Sequence, residues 1–445
     1  MKRIYYKKFV STRKAKVANF KGVSRDWYSK SLPIDFALKQ ENLKIVNGAL
    51  IPSMSPKSIG LTFDESINKV IPFYDNGTKL FVACSDSNYI IEENNGEIIK
   101  TKIEKDCEII DSTNYKYGED NFVILATDVG VKKLIGGVIE SSDVDLKFSN
   151  ICNHFYRIFG AEKNSTKLLF SDDFAPFNWE QSIDEGGYIN LSFDYGKITD
   201  ILSFNEYLVV CQEDCFTKIT AYSEQDSFVV KTITSPSNIK EGSTVNCGSQ
   251  VMYATGNGFG IFDGYDCRTI CEELAGFLKD SDIESVATSD YCYFLCKDKS
   301  SDIKNNYIIA YNLLYRDYHF ITENEAEFLV KVKFNGEEKV LIVCDKEIKV
   351  LSADINSSNK IWRSGSIDFG NSADFKLLRR IEFGGNTIID LKIAVDGKNY
   401  FFNITNKRSQ LLNLKGKEFE IEIAPKGRNI NVPSPVIEYS VLEEN

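Results

Sequence analysis

The sequence predicts an all-β protein: a β-propeller of seven blades, or six if one unit belongs elsewhere, followed by a C-terminal β-sandwich and preceded by an extended basic arm. Three observations carry this. Compact apolar runs, each after a polar turn, begin at Leu80, Phe122, Leu168, Tyr207, Val251, Tyr291 and Val340, which are 42, 46, 39, 44, 40 and 49 residues apart. A repeat of this length is that of a four-stranded propeller blade. Apolar segments of four to seven residues alternate with polar turns, the pattern of short antiparallel strands. The dipeptides Asn76-Gly77, Asn95-Gly96, Asp263-Gly264, Asn335-Gly336 and Asp396-Gly397 supply the positive φ angles of two-residue hairpin turns.

At 445 residues and 50.4 kDa the chain exceeds one compact core. Its 43% apolar and 26% charged residues are those of a globular protein. No run approaches the roughly 18 to 20 apolar residues of a spanning helix, so no membrane span is expected. The N-terminal MKRIYYKKFVSTRKAK lacks the apolar centre of a signal peptide, which predicts no secretion by that route. Eleven cysteines, an odd number scattered among apolar residues, predict buried reduced thiols. With only His154 and His319 as imidazoles and no tight cysteine knuckle, no metal site is expected, nor any cofactor.

Taken in order, residues 1–30 carry ten Lys or Arg against Asp26, a charge of +9, whereas the remainder carries 43 basic and 63 acidic residues, or −20. Residues 1–55 have no sustained period. A short helical stretch is expected at Ile34 to Gln40, then a first hairpin turning at Asn47-Gly48. The propeller is assigned to residues 56–355. The unit around Tyr207 shows it best, with strands near Lys197–Ser203, Tyr207–Cys211, Cys215–Ala221 and Phe228–Thr234. One stretch, Arg268 to Lys279, reads as a short helix between blades, and the third unit carries an insertion between Phe170 and Gly196. The period breaks at ADINSSNK. Six or seven short strands over residues 356–445 then predict the sandwich.

Few constellations point to catalysis. Ser171-Asp172-Asp173-Phe174-Ala175-Pro176-Phe177-Asn178-Trp179 loosely resembles the Asp box of sialidase-type propellers, but Ala175 stands at its Gly position and Trp179 is displaced by one. That motif is a turn device in any case, and Trp179 reads as an anchor of the insertion. The acidic pairs Asp172/Asp173 and Asp184/Glu185 read as solvated loop residues rather than two carboxylates across a cleft. His154, in ICNHFYRIFG, and His319, in YRDYHFIT, read as hydrogen-bonded strand histidines. Gly256-Asn257-Gly258-Phe259-Gly260 joins two strands and so reads as a hairpin rather than a phosphate cradle.

The segment from Leu168 to Gly264 resembles the propeller of phage neck and tail structural proteins, among them the tail nozzle and packaged-DNA stabilisation proteins of short-tailed phages. The similar positions are Asn178 and Trp179, Ile189 to Leu191, Gly196 to Val210, and the Gly258 to Gly264 close, GFGIFDG. A weaker similarity lies in Glu41 to Leu50, where Ile51-Pro52-Ser53 replaces the usual Arg-Pro-Gly. The resemblance implies a non-enzymatic virion protein of the head-to-tail connector or tail, assembled in the bacterial host cytoplasm. Its implied partners are copies of itself in a ring and other neck or tail proteins, with no specific nucleic-acid sequence. The alternative is a carbohydrate-binding or carbohydrate-hydrolysing propeller used in host recognition.

Two surfaces are the expected contacts. The arm, through Lys2, Arg3, Lys7, Lys8, Arg13, Lys14 and Lys16, is either a solvated tail or a clasp on the acidic surface of a neighbouring copy or partner. The insertion, through Asp172, Asp173, Asn178 and Trp179, is the second.

Overall fold

The structure, a computed structural model, describes residues 12–16, 20–24, 32–75, 77–94, 97–182, 185–221, 225–235, 237–299, 306–334, 336–353, 359–370, 372–427 and 430–442. Strands dominate the described chain; its helices are three 3₁₀ turns and the single turn Ala275–Leu278. The chain forms two compact units. The first comprises Ser58–Asn306 and Asn324–Leu351, the second Met1–Lys57, Tyr307–Glu323 and Ser352–Asn445.

The first unit is a β-propeller. Five sheets are meanders of four consecutive antiparallel strands, beginning with Ile67–Tyr74, Thr78–Cys84, Ser87–Asn94 and Glu97–Glu104. Burial follows a gradient within each sheet. Central strands such as Val251–Thr255 and Gly258–Phe262 are buried at every residue, because neighbouring sheets cover both faces, whereas the outer strand Glu97–Glu104 is almost wholly exposed. Hence the central strands read as continuous apolar runs rather than as alternation. Between the third and fourth sheets, Phe159, Leu168 and Phe170 pack with Ile201, Leu208, Val210 and Ile219 in one cluster.

The seven first strands follow one another around a closed ring: Ile67–Tyr74, Ile109–Tyr117, Asn150–His154, Ile198–Phe204, Val245–Asn246, Ser281–Ala287 and Ala326–Phe334, which returns to Ile67–Tyr74. A strand from the N-terminal side closes it. Ser55–Thr62 completes the sheet of Ala326–Phe334, Glu337–Cys344 and Glu347–Ser352, so chain ends far apart in sequence lock the ring. At that seam, Leu61, Leu80, Val82 and Ile91 share a core with Leu341, Val343 and Ile348.

Four first strands carry a register shift near their start, at Ile67/Lys69, Ile109/Asp111, Ile198/Asp200 and Ala326/Phe328. Such bulges re-aim the side chain that follows. Here those side chains stitch the ring: Lys69 Nζ donates to the Ile110 carbonyl at 3.0 Å, and Asp111 Oδ2 accepts from the Ile151 amide at 2.9 Å. Thr244 Oγ1 donates to Asp200 Oδ2.

The second unit holds a seven-stranded antiparallel sheet in the order Thr12–Lys16, Val436–Leu442, Phe375–Val395, Phe419–Pro425, Ile361–Ser364 and Ala37–Glu41, with Lys398–Gly416 pairing on Phe375–Val395. A ladder of Tyr307–Asn312, Tyr318–Thr322, Leu43–Val46, Ala49–Pro52 and Val432–Pro433 completes it. The C-terminal β domain expected over 356–445 therefore draws in strands from the N-terminal region and from 307–323. Its strands are also longer than the short strands expected there: Phe375–Val395 and Lys398–Gly416 run on through register shifts, turning at Asp396-Gly397 with φ of 46° and 85°.

Three local expectations change. Ile34 to Gln40 is not helical: Ala37–Glu41 is a strand paired with Ile361–Ser364, a tertiary ladder overriding local propensity. Only Ala275–Leu278 of the 268–279 helix is α-helical, since Cys267–Ile270 is the fourth strand of its sheet. The run Leu168–Phe170 lies in the third strand of its sheet, the second being Arg157–Ala161. None of the eleven cysteines forms a disulfide, and eight of them are buried.

Candidate functional site at the insertion of the third sheet

The insertion leaves Lys167–Phe170 and returns at Gly187–Asn190. It is held from below by Arg157, which is buried and donates from one guanidinium nitrogen to the carbonyls of Ser171 at 3.1 Å and Glu185 at 3.3 Å. Its plane also lies over the rings of Phe170 and Phe228, at 5.3 and 5.6 Å. A guanidinium suits this place because its fixed fork bonds two carbonyls while its faces stack on aromatic rings.

The sequence-predicted residues fall into place around that post. Asp172 donates its amide to the Asn178 carbonyl at 2.8 Å, and its carboxylate accepts from the Asp173 amide at 2.7 Å. Burial pushes the Asp173 carboxyl up, with Arg157 acting against it and Asp172 adding to it. Asn178 Oδ1 accepts from the Glu180 amide. Trp179 donates its indole N–H to the Pro176 carbonyl at 3.1 Å and packs on Phe148 at 4.9 Å, so it is the anchor its position suggested. These are adjacent carboxylates on one turn rather than a pair across a cleft, and their bonds shape the loop. Asp184 lies outside the described residues.

Beside this turn the structure brings together residues the sequence reading passed over. Tyr117, Tyr156 and Phe174 form an aromatic cluster, with ring centroids 4.7 to 5.2 Å apart and exposures of 45%, 39% and 48%. Tyr156 and Phe174 hold left-handed backbone with φ of 64° and 57°, and the neighbouring Phe155 has φ 47°. Each such residue costs about 1–2 kcal/mol. A signal was present in the sequence: Phe155-Tyr156 occupies a two-residue hairpin turn, between Asn150–His154 and Arg157–Ala161, where Asn and Gly are the usual occupants.

His154 is buried, its Nδ1 sits 2.8 Å from Ser203 Oγ, and burial pushes its pKa down to about 4. It is the neutral strand histidine its context implied. His319 is likewise buried, with its pKa pushed down to about 3. The Gly256-Asn257 hairpin joins Val251–Thr255 to Gly258–Phe262 as expected.

Of the arm residues, Lys2, Arg3, Lys7 and Lys8 lie outside the described residues. Arg13, Lys14 and Lys16 are exposed on the edge strand Thr12–Lys16, which pairs with Val436–Leu442 of the same chain and sets Lys14 opposite Glu438.

No protein-family model and no curated protein matches the chain. Solved structures do. The WD40 domain of Pan2 from Neurospora crassa is similar at 6% identity, over 65% of this chain and 90% of that one, with a TM-score of 0.43. YCF48 from Cyanidioschyzon merolae is similar at 8% identity, over 67% and 98%, with a TM-score of 0.41. PorZ, a surface component of the type-IX secretion system of Porphyromonas gingivalis, is similar at 8% identity, over 84% and 59%, with a TM-score of 0.41. What this chain has in common with proteins of this kind is the all-β propeller architecture that its own sheets spell out.

Proposed function

We propose that the protein is a non-enzymatic structural component of a phage virion, in the head-to-tail connector or tail, acting through assembly contacts with copies of itself and with other virion proteins. The observation that carries an assembly role is an open, basic sheet edge on a chain whose other unit is strongly acidic. Lys398–Gly416 pairs only with Phe375–Val395 among the described residues, leaving one side of a 19-residue strand without a ladder partner. It carries Lys398, Lys407, Arg408 and Lys415 and no acid, and Phe401 on it is 74% exposed. The propeller unit has 26 basic and 47 acidic residues, a net −21, whereas the second unit has 27 and 17, a net +10. Long open edges are templates for another chain, and opposite potentials steer one copy onto the next. The placement in a virion rests on the resemblance of Leu168 to Gly264.

The test is native mass spectrometry of the full chain alongside immunolabelled virions. Deleting residues 1–30 is not a clean perturbation, because it removes the strand Thr12–Lys16 and the buried Phe20, whose ring packs on Trp362 at 5.0 Å. Charge reversal by Lys407→Glu with Arg408→Glu is cleaner, since both residues are exposed. The oligomer is expected to dissociate in the variant and, in the parent, to weaken as salt rises. An unchanged oligomer refutes the edge, and absence of label at the neck or tail refutes the placement.

A second reading is favoured by the aromatic cluster. Exposed rings beside Asp172 and Asp173 have the composition of a surface that stacks on sugar rings and hydrogen-bonds hydroxyls. Glycan-array binding lost in Tyr156→Ala supports carbohydrate recognition; an empty array removes it.

A further inference from the structure

Within the acidic propeller unit one cavity has the opposite character. It has a volume of about 710 Å³ and lies where the C-terminal ends of three consecutive first strands meet: Ala326–Phe334, Ile67–Tyr74 and Ile109–Tyr117. Its lining includes Tyr74, Asn114, Lys116, Asn121, Lys331 and Lys333, and no acidic residue. Lys331 is paired with Glu338 at 3.0 Å, and Lys333 stands directly opposite the same carboxylate in the ladder and helps Lys331 to lower its pKa, while Lys116 stands opposite Asn121. Three lysines thus line one cavity of a unit with net charge −21, and against the single carboxylate of Glu338 they leave a local excess of two positive charges.

We propose that this cavity binds the phosphate backbone and a base of a nucleotide chain, independently of its sequence; this goes beyond the assembly role above. Three features select that ligand. The lysines call for an anion. Lys331 and Lys333 are two residues apart on one exposed strand face, about 6.6 Å along the strand, so they address successive charges of a polymer rather than one isolated carboxylate. Tyr74, 64% exposed at the rim, offers a ring on which a base stacks, and stacking of this kind is sequence-tolerant because every base has a π-face. Asn114 and Asn121 supply amide groups beside it, and Asn121 is oriented by donating to the Tyr74 carbonyl at 3.4 Å. The Tyr117–Tyr156–Phe174 cluster does not serve a cation cage, because rings 4.7 to 5.2 Å apart touch one another and leave no room between them.

The experiment is fluorescence anisotropy of the full chain with a labelled oligo(dT) of about 12 nucleotides, with ATP and polygalacturonate as competitors. With two phosphates neutralised by that local excess of charge, the slope of log affinity against log salt is about −1.4, so binding weakens roughly sevenfold from about 50 to about 200 mM salt. Lys116→Ala and Lys333→Ala each reduce that slope by about 0.7. Tyr74→Ala weakens binding by about tenfold at constant slope, as loss of one stacked base requires. Competition by ATP identifies a mononucleotide as a sufficient ligand, and failure of ATP to compete identifies the polymer; either supports the site. No anisotropy change at the lower salt overturns it. So does parental binding in Lys116→Ala and Lys333→Ala, which would assign the affinity to the basic N-terminal segment. Displacement by polygalacturonate as effective as by unlabelled oligo(dT) also overturns it, since the site would then read charge alone.

Discussion

Replacing Asp200 by asparagine is expected to stabilise the propeller at alkaline pH and to leave it nearly unchanged in acid. Asp200 follows the bulge in the fourth sheet's first strand, accepts a hydrogen bond from Thr244, and lies near the carboxyl of Asp111. Burial pushes its pKa from the ordinary 3.8 up to about 7; the Thr244 bond works against that shift and Asp111 adds to it. A carboxyl held above its unfolded pKa contributes most to stability when protonated. That contribution is fully present below pH about 4 and is lost as pH rises to about 7. At roughly 1.4 kcal/mol per pH unit, ionising the buried group costs of the order of 4 kcal/mol by pH 8. Asparagine keeps the Ile201 amide on its Oδ1, reverses the Thr244 bond by donating from Nδ2 to the hydroxyl, and never ionises. Urea unfolding of the parent and Asp200→Asn at pH 4 and pH 8 measures the difference. Its midpoint should exceed the parent's at pH 8, with the gap closing at pH 4. Asp111, which burial also raises, and Lys69, 3.7 Å from Asp111, are present in both proteins and largely cancel. An equal gap at both pH values would show that Asp200 does not titrate between them and would refute the argument.

Two further substitutions probe packing. Gly260 lies directly opposite Tyr253, and a Cβ built on it would sit 2.0 Å from that ring, so Gly260→Ala should destabilise by about 1–3 kcal/mol in the same urea assay. Trp179→Ala removes the insertion's contact with Phe148, and because the indole is only partly buried the loss should be about 2 kcal/mol, below the range for a fully buried tryptophan. Limited proteolysis should then cut first between Ser171 and Gly186, and parental resistance there would show that Arg157 alone holds the loop.

The repeat was legible because the central strands of each blade are covered on both faces. Leu80 to Ala83, Tyr207 to Val210 and Val340 to Val343 therefore stand out as uninterrupted apolar runs whatever their neighbours are. The third sheet shows the limit of that signal. Its second strand, Arg157–Ala161, contains a buried arginine and a glycine pressed against Phe148, so the run at Leu168 was the more visible one. Trp179 was legible as an anchor, since an indole in a polar insertion needs a surface to cover it. The cluster of Tyr117, Tyr156 and Phe174 was not, because it joins residues from a strand end, a hairpin turn and a loop that only the stacking of two sheets brings within 5.2 Å.

What the sequence determined by itself is the strand content, the repeat and the hairpin turns, all of which depend on neighbours within a few residues of one another. The tertiary structure alone decided how the ring closes, through Ser55–Thr62 on a sheet nearly 300 residues downstream. It alone decided that the N-terminal strands Thr12–Lys16 and Ala37–Glu41 belong to the C-terminal sheet. It also decided that Lys116, Lys331 and Lys333 share one cavity. The physical reason is that local order is written in side-chain period and turn chemistry, whereas strand partners and convergent charges depend on which edges remain open once every local hairpin has formed.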